Sequence, residues 1–187
     1  MIKNFFRFTF ELIKVVVISL AIIMPIRYFL IQPFYVKGAS MEPSFYDQEY
    51  LIIDEISYRF STPERGDVIV FKYPRDPKEY FIKRVIALPG EKVQIKNGEI
   101  YIYNSQSPFG SKLSENYLDS ETKTYGLSEE IIVLEDGEYY VLGDNRNSSK
   151  DSRSFGSVDD SFIIGKVLLR GWPFDRISLF QVHEYQF

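Results

Sequence analysis

The chain has 187 residues, with 22 lysines and arginines against 26 acidic residues, and it contains no cysteine. This mild negative charge argues against a protein that binds nucleic acid through phosphate contacts. The absence of cysteine excludes disulfides, thiolate metal ligands and a cysteine nucleophile. Aromatic residues make up 17% of the chain, in many short Val, Ile, Tyr and Phe runs. Such runs favour strands over helices. The composition therefore predicts a mostly β domain of modest size with a short attachment.

The most apolar stretch, residues 12–31, lies near the N-terminus. A helix that spans a bilayer needs about 20 mainly apolar residues. Lys14 and Arg27 bracket the charge-free centre and can extend their charged ends to the lipid headgroups. Taken alone, that centre is also short enough for a removable signal peptide, but no small-x-small cleavage site follows it immediately. We therefore predict an uncleaved membrane anchor within residues 1–32.

The basic residues around the apolar core favour one orientation of this anchor. Lys3, Arg7 and Lys14 precede the core, whereas Arg27 and Lys37 follow it. Because cytoplasmic flanks carry an excess of basic residues, this mild bias favours a cytoplasmic N-terminus. Residues 33–187 are then predicted to form the extracytoplasmic domain of a single-pass protein of the cell membrane.

From Pro33 onward, short apolar runs alternate with turn signals, as is typical of antiparallel sheets. The runs predicted as strands are residues 34–37, 49–53, 68–73, 80–88, 92–95, 100–103, 138–142 and 162–169. Asn97-Gly98 predicts a type I′ hairpin turn. Residues 72–79 are charged and contain proline, so they are predicted to be a connection. The polar residues 104–130 match no motif and are predicted to be a variable insertion or small lobe.

Ser40 lies between small residues in a predicted turn, where a carbonyl group can approach its hydroxyl closely. A serine is a poor nucleophile without a positioned base. The one histidine, His183, lies in a polar terminal tail and is predicted to be solvated. Lys83 is a better candidate, because its strand is apolar on both faces and burial lowers the pKa of a lysine. The alternative is an edge strand from which Lys83 and Arg84 extend into solvent.

Residues 143–156 form a predicted loop that is dense in hydrogen-bonding side chains. An EF-hand is excluded because the central glycine and the terminal glutamate are missing, and no metal or cofactor is predicted. A serine hydroxyl of this loop can orient a neutral lysine, and Asp151 and Arg153 can form a charge-assisted pair beside it. An ordinary solvated turn cluster is the alternative. Pro43 stands where an S-x-x-K motif needs its lysine, which disfavours the penicillin-recognising Ser/Lys enzymes.

Four blocks, in order, give the chain a resemblance to a known family. It resembles the type I signal peptidases (leader peptidases), membrane-anchored Ser/Lys proteases that remove signal peptides from exported bacterial proteins. The blocks are Gly38-Ala39-Ser40-Met41-Glu42-Pro43, Arg65-Gly66-Asp67-Val68-Ile69-Val70-Phe71, Lys83-Arg84-Val85-Ile86-Ala87-Leu88-Pro89-Gly90, and Gly143-Asp144-Asn145-Arg146 through Asp151-Ser152-Arg153. Together with the N-terminal anchor they cover nearly the whole chain.

The resemblance implies a role for each matching residue. Ser40 would be the nucleophile, Lys83 the general base, and Ser149 the hydroxyl that orients the lysine, with Asp151 and Arg153 supporting the site. Further support is assigned to members of the same blocks: Gly38, Met41, Arg84 and Asp144.

Gly38 is a departure from the longer family members, which carry there a serine whose hydroxyl helps to form the oxyanion hole. Loss of one oxyanion donor can cost on the order of 10²–10³ in rate. The family's short forms carry this glycine too, so it does not imply inactivity. The backbone N–H of Ser40 is expected to remain as a donor, with water or another amide as the second.

The resemblance also implies an all-β catalytic domain of antiparallel sheets on an N-terminal membrane anchor. Family substrates have small residues at the first and third positions before the cut and bind as an added strand. The implied partners are signal peptides of exported preproteins and the lipid bilayer, with no nucleic acid and no cofactor. The alternatives are a non-catalytic membrane-anchored paralogue that binds export substrates and a self-cleaving repressor-type Ser/Lys protease. The anchor replaces the DNA-binding helices that such a repressor would need.

Overall fold

The computed structural model describes the backbone of residues 2–29 and 31–180, and the side chains of residues 5–24 and 33–180. His183 therefore lies outside the described residues. The last part of the predicted membrane span, residues 25–31, lies outside the described side chains.

The N-terminal helix α1 extends over Ile2–Phe29. No glycine or proline occurs in the first 24 residues, so nothing interrupts the backbone hydrogen bonds there. Its large apolar side chains are exposed from Phe5 to Met24. Among the residues that the structure describes, no helix is both long enough and apolar enough to cross a bilayer.

The rest of the described chain forms twelve strands, one short α-helix and three short 3-10 helices, at Ser57–Arg59, Asp160–Phe162 and Phe174–Arg176. The strands are β1 (Ile31–Tyr35), β2 (Tyr50–Asp54), β3 (Val68–Tyr73), β4 (Asp76–Ala87), β5 (Lys92–Lys96), β6 (Glu99–Tyr103), β7 (Ser111–Lys112), β8 (Ile132–Val133), β9 (Glu138–Leu142), β10 (Val158–Asp159), β11 (Ile163–Trp172) and β12 (Ser178–Leu179). The helix α2 (Ser152–Phe155) lies between β9 and β10.

The strands form two antiparallel sheets. The larger sheet has eight strands in the order β1-β2-β11-β3-β4-β9-β10, with β12 paired to β11. The smaller sheet has the order β7-β6-β5-β8. Asn97 and Gly98, between β5 and β6, both have positive φ, as a type I′ turn requires. The predicted mostly β, antiparallel fold is confirmed.

Strand β4 corrects two expectations. It pairs with β3 on one side and with β9 on the other, so the alternative of an edge strand is wrong. It also begins at Asp76, so most of the predicted connection at 72–79 belongs to a hairpin between β3 and β4. The pairing steps from Lys72 opposite Tyr80 to Tyr73 opposite Asp76. This irregularity lets Pro77, which has no N–H to donate, lie within the hairpin.

Two of the three buried clusters among the described residues position β4, β9 and the loop that carries Ser40. One lies between the sheets and joins β4 and β9 to the smaller sheet through residues such as Ile86, Val93 and Tyr140. The other packs Met41 and Phe45 against the larger sheet. The loop between β1 and β2 is therefore fixed to the sheet directly beside Ser40.

Candidate active site

Ser40 lies in the loop between β1 and β2, half-buried in a fixed turn. Two residues earlier, Gly38 has φ of +91°, a conformation that side-chain-bearing residues rarely adopt. The Gly38 amide donates a hydrogen bond of 2.7 Å to Asp47 Oδ1, which holds this turn. On the other side, the Phe45 amide donates to the Met41 carbonyl at 2.9 Å, and both side chains are buried. The serine is thus held between a glycine turn and a core anchor.

The backbone of Ser40 is also held by the loop that follows β9. The Asn145 amide donates to the Ser40 carbonyl oxygen at 3.1 Å, and Asn145 Nδ2 donates to the Ala39 carbonyl at 3.1 Å. The Ser40 amide donates no hydrogen bond within the described part of the chain. That N–H is therefore available to a ligand.

Lys83 on β4 reaches the Ser40 hydroxyl. Its Nζ lies 2.8 Å from Ser40 Oγ and donates a second hydrogen bond of 2.7 Å to the Ile82 carbonyl. Only 3% of Lys83 is exposed. This burial lowers the pKa of Lys83 from an ordinary 10.5 to about 8, although the carboxylates of Asp151 and Asp144 act in the opposite direction. About a tenth of the amine is therefore neutral at pH 7, far more than an ordinary lysine would provide.

Arg84, the next residue on β4, is paired on the other face of the strand. Its Nε and Nη2 lie 2.8 and 2.6 Å from the two carboxylate oxygens of Asp144, and both side chains are buried. Nη1 donates to the Gly66 carbonyl at 3.1 Å, and the guanidinium lies 4.0 Å from the centre of the Tyr117 ring. The bidentate pair joins β4 to the start of the loop that follows β9.

At the other end of that loop, Asp151 and Arg153 form an ion pair, as the sequence predicts. Arg153 Nε and Nη2 each lie 2.8 Å from an oxygen of Asp151. Asp151 Oδ2 also accepts a hydrogen bond of 3.1 Å from the Gly143 amide. Arg153 Nη2 donates to the Arg146 carbonyl at 2.8 Å. The loop is therefore cross-linked internally beside Lys83.

Ser149, predicted to orient the lysine, is close to the site but makes no hydrogen bond to it. Its Oγ is buried and has no hydrogen-bond partner among the described residues. A Cβ added to Gly143 would lie 2.1 Å from Ser149 Oγ and 2.4 Å from the Ser40 carbonyl oxygen. Gly143 is therefore the point at which the two serine-bearing segments meet, and no larger residue fits there.

A cleft of about 440 Å³ opens onto Ser40 and Lys83. Its walls come mainly from the end of β1 with the two residues after it and from the middle of β4, with two further apolar side chains from β2 and β3. The lining residues are Phe34, Tyr35, Val36, Lys37, Leu51, Val70, Glu79, Tyr80, Phe81, Ile82 and Lys150, together with Ser40 and Lys83. The cleft thus offers a largely apolar wall next to a hydroxyl and an amine.

Comparison with known proteins identifies the family. The family model described as signal peptidase, peptidase S26, matches residues 9–172. The chain belongs to the signal peptidase family. It is accordingly a hydrolase of the serine endopeptidase type, and the predicted resemblance is confirmed.

Signal peptidase relatives match most of the chain. A probable signal peptidase I-2 from Synechocystis is 37% identical over 176 residues, which cover 90% of this chain and 76% of the relative. Signal peptidase IB from Staphylococcus aureus strain Mu50 is 35% identical over 183 residues, covering 90% of this chain and 92% of the relative. The crystal structure of a signal peptidase I from Enterococcus faecalis V583 is 32% identical, with a TM-score of 0.46 over 57% of this chain and 97% of that one. That score is too low to establish a shared fold.

Sequence reasoning missed one part of this candidate site. Arg146 lies within a recognised block, but no role was assigned to it, and its side chain is buried against Glu115, Tyr117 and Thr124 of the predicted insertion. The sequence offers one signal for this contact: an arginine lies inside an otherwise polar loop, and the unassigned segment 104–130 contains acidic and hydroxyl residues. That signal does not specify which residues pair.

Proposed function

We propose that this chain is a membrane-attached serine endopeptidase that cleaves N-terminal signal peptides from exported preproteins after small-x-small sites, with Ser40 as nucleophile and Lys83 as general base. One observation carries this proposal: the buried Lys83 Nζ lies 2.8 Å from Ser40 Oγ. A buried amine with a lowered pKa, within hydrogen-bond reach of a hydroxyl, meets the requirements for a nucleophile and its base.

In the proposed mechanism, neutral Lys83 accepts the Ser40 proton as Oγ attacks the scissile carbonyl carbon. The Ile82 carbonyl holds Nζ in place through this step. The free Ser40 amide donates to the developing oxyanion. The Lys83 ammonium then gives its proton to the leaving amine, which leaves an acyl-enzyme on Ser40. Water then gives a proton to the same amine and attacks the acyl carbon. The ammonium returns this proton to Ser40 Oγ as the carboxylic acid product leaves, which restores the serine.

The surrounding residues are proposed to hold this geometry. The Asp151–Arg153 and Arg84–Asp144 pairs fix the two ends of the loop that approaches Ser40. The buried and unpartnered hydroxyl of Ser149 is proposed to orient Lys83 when substrate is present.

Substrate is proposed to bind in the cleft as an added strand. β1 lies at the edge of the larger sheet and, among the described strands, pairs only with β2. It contributes Phe34 and Tyr35 to the cleft wall, and Val36 follows directly after it. An extended peptide beside it would receive main-chain hydrogen bonds and place alternate side chains into the cleft. Small side chains at the first and third positions fit this arrangement.

Membrane attachment is part of the same proposal. α1 exposes large apolar side chains along its described length, and such a surface is unfavourable in water. We propose that the apolar stretch at residues 12–31, whose last part lies outside the described side chains, anchors the chain as a single pass. The N-terminus would then be cytoplasmic and the catalytic domain outside. Flotation with lipid vesicles tests the attachment: the full chain should float, and a variant lacking residues 1–32 should not. If the full chain stayed in the bottom fraction with the unbound protein, as the truncated variant should, the proposed membrane attachment would be wrong.

A cleavage assay in detergent tests the catalytic assignment. The substrate is a preprotein with an Ala-x-Ala site, and the variants are Ser40→Ala and Lys83→Ala. Both should abolish processing while the circular dichroism spectrum stays that of the wild type. Lys92→Ala, which changes an exposed lysine on β5, serves as the matched control and should cleave normally. Near-wild-type cleavage by Lys83→Ala would show that another group is the base, and binding without cleavage by the wild type would favour the non-catalytic alternative.

A further inference from the structure

Residues 104–130, predicted to be a variable insertion, contact the loop that carries the site support. Apart from β7, this segment has no regular strand or helix in the structure. Three arginines nevertheless connect the segment to the site. Arg146 binds Glu115, Arg84 lies over the Tyr117 ring, and Arg153 donates to the Tyr125 carbonyl at 3.3 Å. The segment is therefore attached to the catalytic loop at several points.

Arg146 is the most completely enclosed of these contacts. Its side chain is fully buried, and its two terminal nitrogens bind the two carboxylate oxygens of Glu115, at 2.8 Å for Nη1 and 2.5 Å for Nη2. Nη1 also donates to the Thr124 hydroxyl, and Nη2 lies 3.0 Å from the Tyr117 hydroxyl. The terminal nitrogens of this guanidinium are thus bonded to residues of a segment outside the four family blocks.

The remaining nitrogen of Arg146 acts on the catalytic loop itself. Nε donates a hydrogen bond of 3.0 Å to the Gly143 carbonyl. Gly143 packs so closely on the Ser40 carbonyl oxygen that it leaves no room for a Cβ. Two residues further on, the Asn145 amide donates to the same oxygen. A shift of Arg146 would therefore be transmitted to the backbone of Ser40 through short, packed contacts.

We propose that Glu115 is a positioning residue for catalysis: it orients Arg146, which holds Gly143 against the backbone of Ser40. This inference rests on the proposed function, because it assigns Ser40 as the nucleophile whose position matters. Glu115 itself does not touch substrate. Its effect should appear in the chemical step, since misplacement of the nucleophile relative to Lys83 lowers the rate of attack more than it weakens peptide binding.

The first test uses Glu115→Gln in the full chain. The variant keeps the shape of the side chain but loses the charge that holds the arginine. We expect kcat for the Ala-x-Ala preprotein to fall by about tenfold to 100-fold, with KM changed by less than about twofold. Glu121→Gln, which changes an exposed glutamate in the same segment, should leave both constants unchanged. If Glu115→Gln does not fold, Glu115→Asp keeps the charge but shortens its reach, and the same fall in kcat is expected.

A double-mutant cycle tests whether the effect passes through Arg146. Arg146→Lys cannot hold both Glu115 and the Gly143 carbonyl, so it should lower kcat by a similar factor. In that background, adding Glu115→Gln should cause little further loss, because the two changes break one connection. A purely structural role would instead lower the melting temperature and leave the kcat of the folded fraction intact, and that result would overturn the proposal. Independent, multiplicative losses would also overturn it. Lys83→Ala, assayed in parallel, separates this outcome from a failure of the Ser40–Lys83 assignment.

Discussion

The acid limb of the activity profile is the sharpest prediction of the proposed mechanism. Lys83 must be neutral to accept the Ser40 proton, and its pKa is lowered to about 8. With that pKa, about a tenth of the amine is neutral at pH 7, half at pH 8 and about nine tenths at pH 9. We therefore expect kcat/KM to rise about tenfold per pH unit below pH 8 and to level off near pH 9.

The size of this effect follows from the surroundings of Lys83. Lowering its pKa from 10.5 to about 8 corresponds to about 3 kcal/mol against the charged form. Burial is the larger cause, and the carboxylates of Asp151 and Asp144 offset part of it. Because each of these carboxylates is paired with an arginine, Arg153 or Arg84, its attraction for the ammonium is reduced.

The assay is hydrolysis of a fluorogenic peptide with an Ala-x-Ala site, in detergent, from about pH 6 to about pH 10 at constant ionic strength. Circular dichroism at each pH confirms that the protein stays folded, and Lys92→Ala should give the same profile as the wild type. A profile that is flat between about pH 6 and pH 9 would refute the reasoning, because an ionised amine cannot act as the base.

Three further changes test the energetics of the site. Lys83→Met should abolish cleavage and raise the free energy of unfolding at pH 7 by up to about 3 kcal/mol. Between the folded pKa of about 8 and the unfolded value near 10.5, the unfolded wild type binds more protons than the folded one, so the stability of the wild type rises with pH. The extra stability of Lys83→Met should therefore shrink by pH 10 in urea titrations. Asp144→Asn should destabilise the protein by about 3–5 kcal/mol in the same titrations, because it leaves the Arg84 guanidinium buried without its charge partner. Gly143→Ala should reduce kcat by at least about 100-fold, since its Cβ would lie 2.4 Å from the Ser40 carbonyl oxygen.

Matched variants make these outcomes specific. Asp136→Asn changes an exposed aspartate and should leave stability unchanged to within about 0.5 kcal/mol. Gly171→Ala introduces a Cβ whose nearest neighbour would be 3.8 Å away, so its activity should equal that of the wild type. An Asp144→Asn protein as stable as its control would contradict the role given to the buried pair. Near-wild-type kcat for Gly143→Ala would contradict the importance given to the close contact between Gly143 and Ser40.

The strands that were predicted best are those whose signals are local. Residues 68–73 and 138–142 correspond to β3 and β9 without a shift at either end, because each is a dense run of apolar and aromatic residues between turn signals. The Asn97-Gly98 turn is specified by its own φ requirements. By contrast, the start of β4 was missed, since charged residues and Pro77 are typical of a connection and are tolerated here by the pairing irregularity.

In the candidate site, too, the residues with local sequence signals were predicted and the long-range contacts were not. Ser40 and Lys83 were singled out from a small-residue turn and from a cation in an apolar strand, both of which are visible in a few neighbouring residues. The pairing of Arg146 with Glu115 joins positions that lie 31 residues apart. Neither a periodic pattern nor a motif specifies such a contact, because it depends on how a segment with little regular structure folds back on the loop.

The placement of Lys83 and Arg84 side by side on β4 makes the enzyme sensitive to the alignment of a single strand. Successive side chains on a strand face opposite sides of the sheet. A slip by one residue would therefore place the Arg84 guanidinium beside the Ser40 hydroxyl, and it would bury the Lys83 amine beside Asp144, where an amine cannot form the bidentate pair. Hydrogen bonding to β3 and β9 on both sides holds the alignment of Arg84 with Val68 and Leu142. Under the proposed mechanism, a chain that folds with β4 misaligned would lack the contact between Lys83 and Ser40 and would be inactive. Correct strand pairing during folding would therefore limit how much protein becomes active.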